Sequence, residues 1–138
     1  MMNSTESSYN SENSIRVHRI QVGMSVAYLI ENDTRLILVD AGSPGHEQKI
    51  LRKMKELGHA DLHLIFITHA HFDHYGCAAA IRRHTGAPIA VHTADSEALA
   101  HGKTPLGHVR SWGILGKWLL PVAERLWPPE PTAPDMRV

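Results

Sequence analysis

Seven consecutive residues, Thr68 to His74 (T-H-A-H-F-D-H), contain four side chains that can bind a metal ion: His69, His71, Asp73 and His74. With 11 His and six Asp in 138 residues, an H-x-H-x-D-H string arises by chance with odds on the order of 3 in 1000. Imidazole and carboxylate ligands together suit Zn²⁺, with Fe or Mn as alternatives. The motif therefore predicts a metal site. The competing interpretation is a His-rich surface turn that binds metal only adventitiously.

The spacing within this motif predicts which side chains share an ion. Side chains alternate between faces in an extended segment, so His69 and His71 project to the same side and can share one cation. Asp73 and His74 are adjacent where the strand ends and the chain turns, and they suit a second, neighbouring ion. A bound Zn²⁺ lowers the pKa of its water towards 7, which yields hydroxide at neutral pH, and it polarises a substrate carbonyl. We therefore expect hydrolytic chemistry, with Asp73 also orienting the attacking water.

The elements before the motif are predicted to form a sheet that carries it. Ile15 and Val17 alternate with polar neighbours, which predicts a first strand. The second strand is predicted from Ser25 to Ile30 and the third from Arg35 to Val39, and the Asn32-Asp33 signal between them predicts a hairpin. We expect these three strands to form an antiparallel meander.

A helix and a buried strand are predicted next. Ser43 can cap the helix, Pro44 suits its first position, and Gly58 can end it. The run from Leu62 to Thr68 is almost continuously apolar, as expected for a strand covered on both faces of a sheet. The strand–helix–strand order predicts a parallel pairing between Arg35–Val39 and Leu62–Thr68.

The elements after the motif continue the same pattern. The sequence predicts, in order, a helix at Tyr75–His84, a strand at Pro88–His92, a short helix to Ala100, an apolar helix at Trp112–Leu126 kinked at Pro121, and a strand start at Asp135–Val138. The apolar stripe of the 112–126 helix predicts core packing; the alternative is a wall or lid of a substrate pocket, with Trp112 and Trp118 supplying apolar surface.

The motif resembles the signature of a known family of enzymes. His69-x-His71-x-Asp73-His74 is similar to the signature of the metallo-β-lactamase superfamily of metal-dependent hydrolases, and Leu38 to Gly42 (L-V-D-A-G) is similar to that family's D-x-G motif. The resemblance extends over about residues 15–138. It implies an α/β fold that is the first half of an αββα sandwich, a mixed β-sheet with flanking helices and metal ions at the strand ends.

Asp40 of the D-x-G motif has two interpretations that do not exclude each other. The residues alone favour a turn aspartate that caps local backbone amides. The resemblance implies that Asp40 lies behind the metal ligands and fixes the loop that carries them. Such carboxylates commonly hold ligand imidazoles in the required tautomer.

The resemblance also implies ligands that this sequence does not contain. In the family, a third His completes the first metal position, and a later bridging Asp and a final His complete the second. His108 lies in a segment that resembles the loop of the third His, but it is disfavoured as a ligand because its spacing from His74 is short and no strand precedes it. We therefore expect residues 15–138 to be a partial domain whose C-terminal half is missing, and we expect an oligomer or a complementing chain as its partner.

The resemblance implies hydrolysis, in a family whose members cleave thioesters, lactones, β-lactams, phosphodiesters and sulfate esters. The residues do not choose among these substrates, and we expect a small-molecule ester, thioester or lactone. One alternative is a non-catalytic remnant or interaction module that keeps the metal-binding loop. A second is a redox di-iron site of the flavodiiron type on the same scaffold.

Composition narrows the remaining function classes. Fourteen basic residues balance 14 acidic residues, so nothing predicts nucleic acid as a partner. No apolar run is long enough to cross a bilayer. A single cysteine, Cys77, excludes an internal disulfide and favours a reducing, cytoplasmic compartment; a buried thiol is its expected state. The polar residues 1–14 predict a disordered tail.

Overall fold

The computed structural model of the chain describes residues 14–105 and 113–138. The predicted tail, apart from Ser14, and both His108 and Trp112 lie outside the described residues. Within them, six strands form one sheet in the order β1-β2-β3-β4-β5-β6. The strands are β1 (Arg16–Val22), β2 (Ser25–Glu31), β3 (Leu36–Val39), β4 (Leu64–Ile67), β5 (Ile89–Val91) and β6 (Met136–Arg137). The helices are α1 (Glu47–Glu56), α2 (Phe72–Tyr75), α3 (Ala78–Thr85), α4 (Ser96–His101) and α5 (Gly113–Leu126), and a 3-10 turn at Thr93–Asp95 precedes α4.

The sheet is mixed, as predicted. β1, β2 and β3 pair antiparallel through short connections. From β3 to β6 every neighbouring pair is parallel. The antiparallel meander, the parallel pairing of β3 with β4 and the strand start near the end of the chain are therefore confirmed, and with them the α/β class.

Helices cover one face of this sheet. Its buried side chains pack with Ile50 and Met54 of α1, Ile81 of α3 and Leu99 of α4 into one apolar core. The side chains of Leu64 and Phe66, on the other face of β4, are only half-buried. The expectation that β4 is covered on both faces is therefore wrong for the described residues.

The two apolar residues that indicate the first strand are exposed in the structure. Ile15 and Val17 are 70% and 60% exposed. His18, Ile20 and Val22 lie on the helix-covered side instead, because the register places them opposite buried residues of β2. Residues that face each other across a strand pair lie on the same side of the sheet. The pairing with β2 therefore determines which side chains of β1 face the helices.

Two predicted helices have different limits in the structure. α1 begins at Glu47 rather than near Ser43, because the Ser43 hydroxyl instead accepts a hydrogen bond from the backbone N–H of Met24, 2.9 Å away. The helix predicted at Tyr75–His84 begins only at Ala78, as α3, and a separate short helix, α2, ends at Tyr75.

Candidate metal-binding site

The predicted ligands lie at one edge of the sheet. β4 ends at Ile67; His69 and His71 follow in a loop, and Asp73 and His74 lie on α2. Asp40 follows β3, whose carboxyl end lies beside that of β4 because the two strands are parallel. The backbone joins the two segments: the N–H of Asp40 donates to the carbonyl of Phe66 (2.8 Å), and the N–H of Ala41 donates to the carbonyl of His74 (2.6 Å).

The structure brings the three imidazoles of the motif together. The ring centroid of His69 lies 4.5 Å from that of His71 and 4.1 Å from that of His74, and the centroids of His71 and His74 are 6.5 Å apart. The Asp73 carboxylate is 3.7 Å from Nε2 of His74. All four side chains are half-buried, and Nε2 of His71 is itself shielded from solvent.

The donor set fits a zinc ion in its chemistry. Three imidazoles and one carboxylate are nitrogen and oxygen ligands that zinc accepts. Within residues 14–105 and 113–138, no group of three or more His, Cys, Asp or Glu side chains converges on a point that could hold a metal ion. The roles of His69, His71, Asp73 and His74 as ligands therefore stay predictions.

Asp40 connects two of these histidines. Its side chain is buried, and its backbone has φ = +58°, a left-handed conformation that aspartate tolerates better than most residues. Its Oδ1 accepts the backbone N–H of Thr68 (2.9 Å), and its Oδ2 lies 3.0 Å from Nδ1 of His74 and 2.8 Å from the Thr68 hydroxyl. The Thr68 hydroxyl also lies 2.9 Å from Nδ1 of His69.

These contacts define the tautomers of both rings. A carboxylate can only accept, so Nδ1 of His74 and the hydroxyl of Thr68 both donate to Asp40. The hydroxyl proton is then used, and Nδ1 of His69 must donate to the oxygen of Thr68. Nε2 of His69 and of His74 is left without a proton in the neutral rings, which is the form that binds a metal.

The surroundings shift the pKa values of these two histidines in opposite directions. Burial lowers the pKa of His69, and the neighbouring His74 and His71 add to the effect. Burial also lowers the pKa of His74, but the hydrogen bond to Asp40 and the negative charges of Asp73 and Asp40 outweigh it, so its pKa is raised. Competition between a proton and a metal is therefore stronger at His74.

A cleft of about 400 Å³ opens beside the motif. Its described lining consists of Met24, the motif residues His69, His71, Phe72, Asp73 and His74, and Gly116, Leu119, Leu120 and Ala123 of α5. One face of α5 therefore forms a wall of the cleft. The predicted core packing of the apolar stripe is wrong for the described residues, because Leu115, Val122 and Leu126 are 71%, 53% and 64% exposed. Trp118 is 76% exposed and does not line the cleft.

Two further residues, His92 and Cys77, have structural roles. Nδ1 of His92 accepts the backbone N–H of Ala94 (3.1 Å) and caps the 3-10 turn. Cys77 is buried, as predicted, and its Sγ donates to the carbonyl of Ser43 (2.9 Å). Burial raises the pKa of this thiol to about 11, so it is a poor nucleophile at neutral pH.

An ionic cluster around the buried Glu31 was not predicted. Its carboxylate contacts Nε2 of His18 (2.9 Å), Nε2 of His59 (2.8 Å) and Nε of Arg16 (2.9 Å). The hydrogen bond with His18 lowers the pKa of Glu31, and His59 and Arg16 add to this effect, against burial, which raises it. His59 is separated from Glu31 by 28 residues, so no local pattern could have revealed the contact.

None of the helices in the described residues is both long enough and apolar enough to span a membrane.

The sequence of this chain matches a known family and is similar to known proteins. The family model described as metallo-beta-lactamase superfamily matches residues 20–130. Two proteins of Bacillus subtilis (strain 168) are similar in sequence: the probable metallo-hydrolase YqgX, 36% identical over 74 residues (54% of this chain and 34% of that protein), and the probable metallo-hydrolase YflN, 31% identical over 84 residues (57% and 32%). The chain spans about a third of the length of these relatives.

A solved structure shows the same fold. BJP-1, a subclass B3 metallo-beta-lactamase of Bradyrhizobium japonicum, superposes with a TM-score of 0.67 at 26% identity, over 92% of this chain and 44% of that structure. The sheet, its flanking helices and the loop after β4 are therefore about half of a larger known architecture.

Proposed function

Since this chain belongs to the metallo-beta-lactamase superfamily, we propose that it acts as a metal-dependent hydrolase on a small-molecule ester, thioester or lactone, with Zn²⁺ bound by His69, His71, Asp73 and His74. The observation that carries the proposal is the clustering of the three imidazoles beside Asp73, with His69 and His74 oriented through Asp40. The similarity to two probable metallo-hydrolases supports the same reaction class.

The residues of this chain have distinct roles in the proposed reaction. When bound, zinc supplies Lewis acidity and a water of lowered pKa. Asp40 and Thr68 keep Nε2 of His74 and His69 available by holding the protons on Nδ1. Asp73 accepts a hydrogen bond from the attacking water and orients it towards the carbonyl carbon.

The overall reaction consumes one water. The bond between the acyl carbon and the leaving oxygen or sulfur breaks, and the oxygen of the water becomes part of the product carboxyl group. One proton of the water is transferred to the leaving group, and the product acid releases its proton to solvent at neutral pH. No oxidant or reductant is required.

The motif provides two ligands for each of two ions, whereas a catalytic zinc normally has three protein ligands and a water. We therefore propose that further ligands come from outside the motif, for example from a second copy or a complementing chain.

A cytoplasmic location is proposed from the single cysteine, Cys77.

Zinc content tests the proposal directly. The purified chain is dialysed against a small excess of Zn²⁺, and bound zinc is measured by mass spectrometry. We expect the double variant His69→Ala/His71→Ala to bind zinc at least tenfold more weakly, because it lacks two of the four donors. His84→Ala is the matched control, since His84 is exposed on α3 and outside the cleft.

Hydrolysis is then measured with γ-butyrolactone and p-nitrophenyl acetate, with and without Zn²⁺. Zinc-dependent turnover that is lost in the double variant supports the proposal, and equal zinc content in the double variant and the control contradicts it. Zinc binding without turnover of either substrate would favour the alternative of a metal-binding interaction module.

A further inference from the structure

The cleft beside the motif is apolar on the sides that do not carry the predicted ligands. Leu119, Leu120 and Ala123 of α5 form one wall with Gly116, and Met24 and Phe72 come from the β1–β2 turn and from α2. We propose that this cleft binds an uncharged aliphatic chain of the substrate, so that the preferred substrates are esters or lactones with a medium-length alkyl or acyl group. This inference rests on the proposed hydrolytic function and specifies its substrate class.

The helical geometry explains why α5 can form such a wall. Gly116, Leu119, Leu120 and Ala123 have the spacing i, i+3, i+4 and i+7, which places them on one face of a helix. Gly116 is buried and has no side chain, and Ala123 has only a methyl group, so the helix backbone can approach the cleft closely at these two positions. Leu119 and Leu120 then supply most of the apolar surface of α5 in the cleft.

The side chain of Met24 can adapt to a group bound in the cleft. Met24 is 64% exposed at the tip of the β1–β2 turn, and an unbranched thioether side chain adjusts easily to the shape of a bound group. Phe72 contributes to the same apolar surface next to the predicted ligands. An alkyl chain that leaves the reacting carbonyl near the histidines would therefore contact apolar groups from α5, from the β1–β2 turn and from α2.

The charges of the cleft argue against an anionic substituent. Among the described lining residues, Asp73 and the three histidines are the ionisable ones, and no lysine or arginine side chain is present. A carboxylate or phosphate on the substrate would lose hydration beside apolar side chains and gain no fixed cation from this part of the protein. An uncharged chain loses no such hydration and gains from the burial of apolar area.

A series of lactones tests the inference without reliance on the metal site. The probes are γ-butyrolactone, which has no side chain, γ-octalactone, which has a butyl group, and an analogue of γ-octalactone whose chain ends in a carboxylate. Their Kd values for the full chain are measured by ligand-observed NMR without added zinc. We expect the affinity to increase up to about fourfold for each buried methylene, the factor that corresponds to about 0.8 kcal/mol, and the carboxylate analogue to bind no better than γ-butyrolactone.

Two substitutions on α5 provide a matched comparison. Leu119→Ser removes apolar surface from the cleft at a position that is already 54% exposed, so it should not unfold the chain. Ile114→Ser changes a side chain that is 80% exposed, lies five positions earlier on another side of the helix and does not line the cleft. We expect Leu119→Ser to weaken the binding of γ-octalactone about three- to tenfold, and we expect Ile114→Ser to leave it unchanged.

The outcomes separate this inference from the proposed function. Equal affinities for γ-butyrolactone and γ-octalactone, equal effects of the two substitutions, or no binding of any lactone would overturn the aliphatic cleft, even if zinc-dependent hydrolysis is found. A chain-length dependence that Leu119→Ser reduces would support the cleft, even if zinc analysis contradicts the metal site.

Discussion

Replacement of Asp40 by asparagine should change the tautomer of His74. The asparagine side chain would keep an oxygen that accepts the backbone N–H of Thr68, and this residue type tolerates the left-handed conformation at φ = +58°. Its amide nitrogen, however, would face Nδ1 of His74 as a donor, where the carboxylate was an acceptor. His74 must then accept at Nδ1 and carry its proton on Nε2, the atom predicted to bind zinc.

The structure sets the magnitude of this effect. Asp40 accepts contacts from the Thr68 N–H, the Thr68 hydroxyl and His74 at 2.8–3.0 Å. Hydrogen bonds to a charged group contribute about 1.5–3 kcal/mol and neutral ones about 0.5–1.5 kcal/mol, so Asp40→Asn should lower the free energy of unfolding by about 1–3 kcal/mol. Loss of the carboxylate behind a ligand histidine typically weakens metal binding about 10- to 100-fold.

The protonation of His74, the zinc affinity and the stability of Asp40→Asn are each measured. The ¹⁵N shifts of neutral His74 report which nitrogen carries the proton, and we expect the proton to move from Nδ1 to Nε2. The pKa of His74 should fall, because Asp40 is one of the groups that raise it. Zinc affinity is measured by competition with a chromophoric chelator, and urea unfolding gives the stability.

The control is Asp33→Asn, which removes the same charge from an exposed position in the β2–β3 hairpin. It should change neither the His74 tautomer nor zinc affinity. The reasoning would be refuted if Asp40→Asn bound zinc as tightly as the unmodified chain, or if His74 kept its proton on Nδ1.

Two further predictions concern stability. Gly42→Ala should lower the free energy of unfolding by about 2–5 kcal/mol, because Gly42 has φ = +72° and an added Cβ would overlap the side chain of Val22. The control is Gly45→Ala, which has φ = +79° and open space around the added Cβ, and it should lower the free energy of unfolding by only about 1–2 kcal/mol. Equal losses of the two variants in urea unfolding would refute the steric argument. The pKa of Glu31 is lowered in the folded chain, so its carboxylate stabilises the fold above the unfolded value of about 4.3, and this contribution is lost as the pH falls through the lowered folded value. Glu31→Gln should therefore flatten the loss of stability below about pH 4.3, measured by urea unfolding from pH 7 to pH 3, and an unchanged pH profile would contradict the assignment.

The predicted elements were wrong where a contact with a residue distant in sequence determined a residue's role. Ser43 and Pro44 have the types expected at a helix start, but Ser43 accepts a hydrogen bond from Met24, 19 residues earlier, and α1 begins at Glu47. Ile15 and Val17 alternate with polar neighbours, yet both are exposed, because the pairing of β1 with β2 decides which side of the strand faces the helices.

The motif at residues 69–74 was found from residue types and spacing alone, because the alternation of a strand and the turn after it are local properties. The same holds for the order of strands and helices, which follows from apolar periodicity and turn residues. Asp40 was connected to the motif only by resemblance, since 28 residues separate it from Thr68.

Contacts between segments that are remote in sequence could be identified only in the folded chain. Parallel pairing of β3 with β4 places Asp40 behind the motif, where it fixes the tautomers of His69 and His74. The position of α5 makes one face of that helix a wall of the cleft. A local pattern records what each segment prefers, whereas burial and hydrogen-bond partners depend on which segments meet. That is why the ligand candidates could be predicted from the sequence, while their orientation and the surface beside them could not.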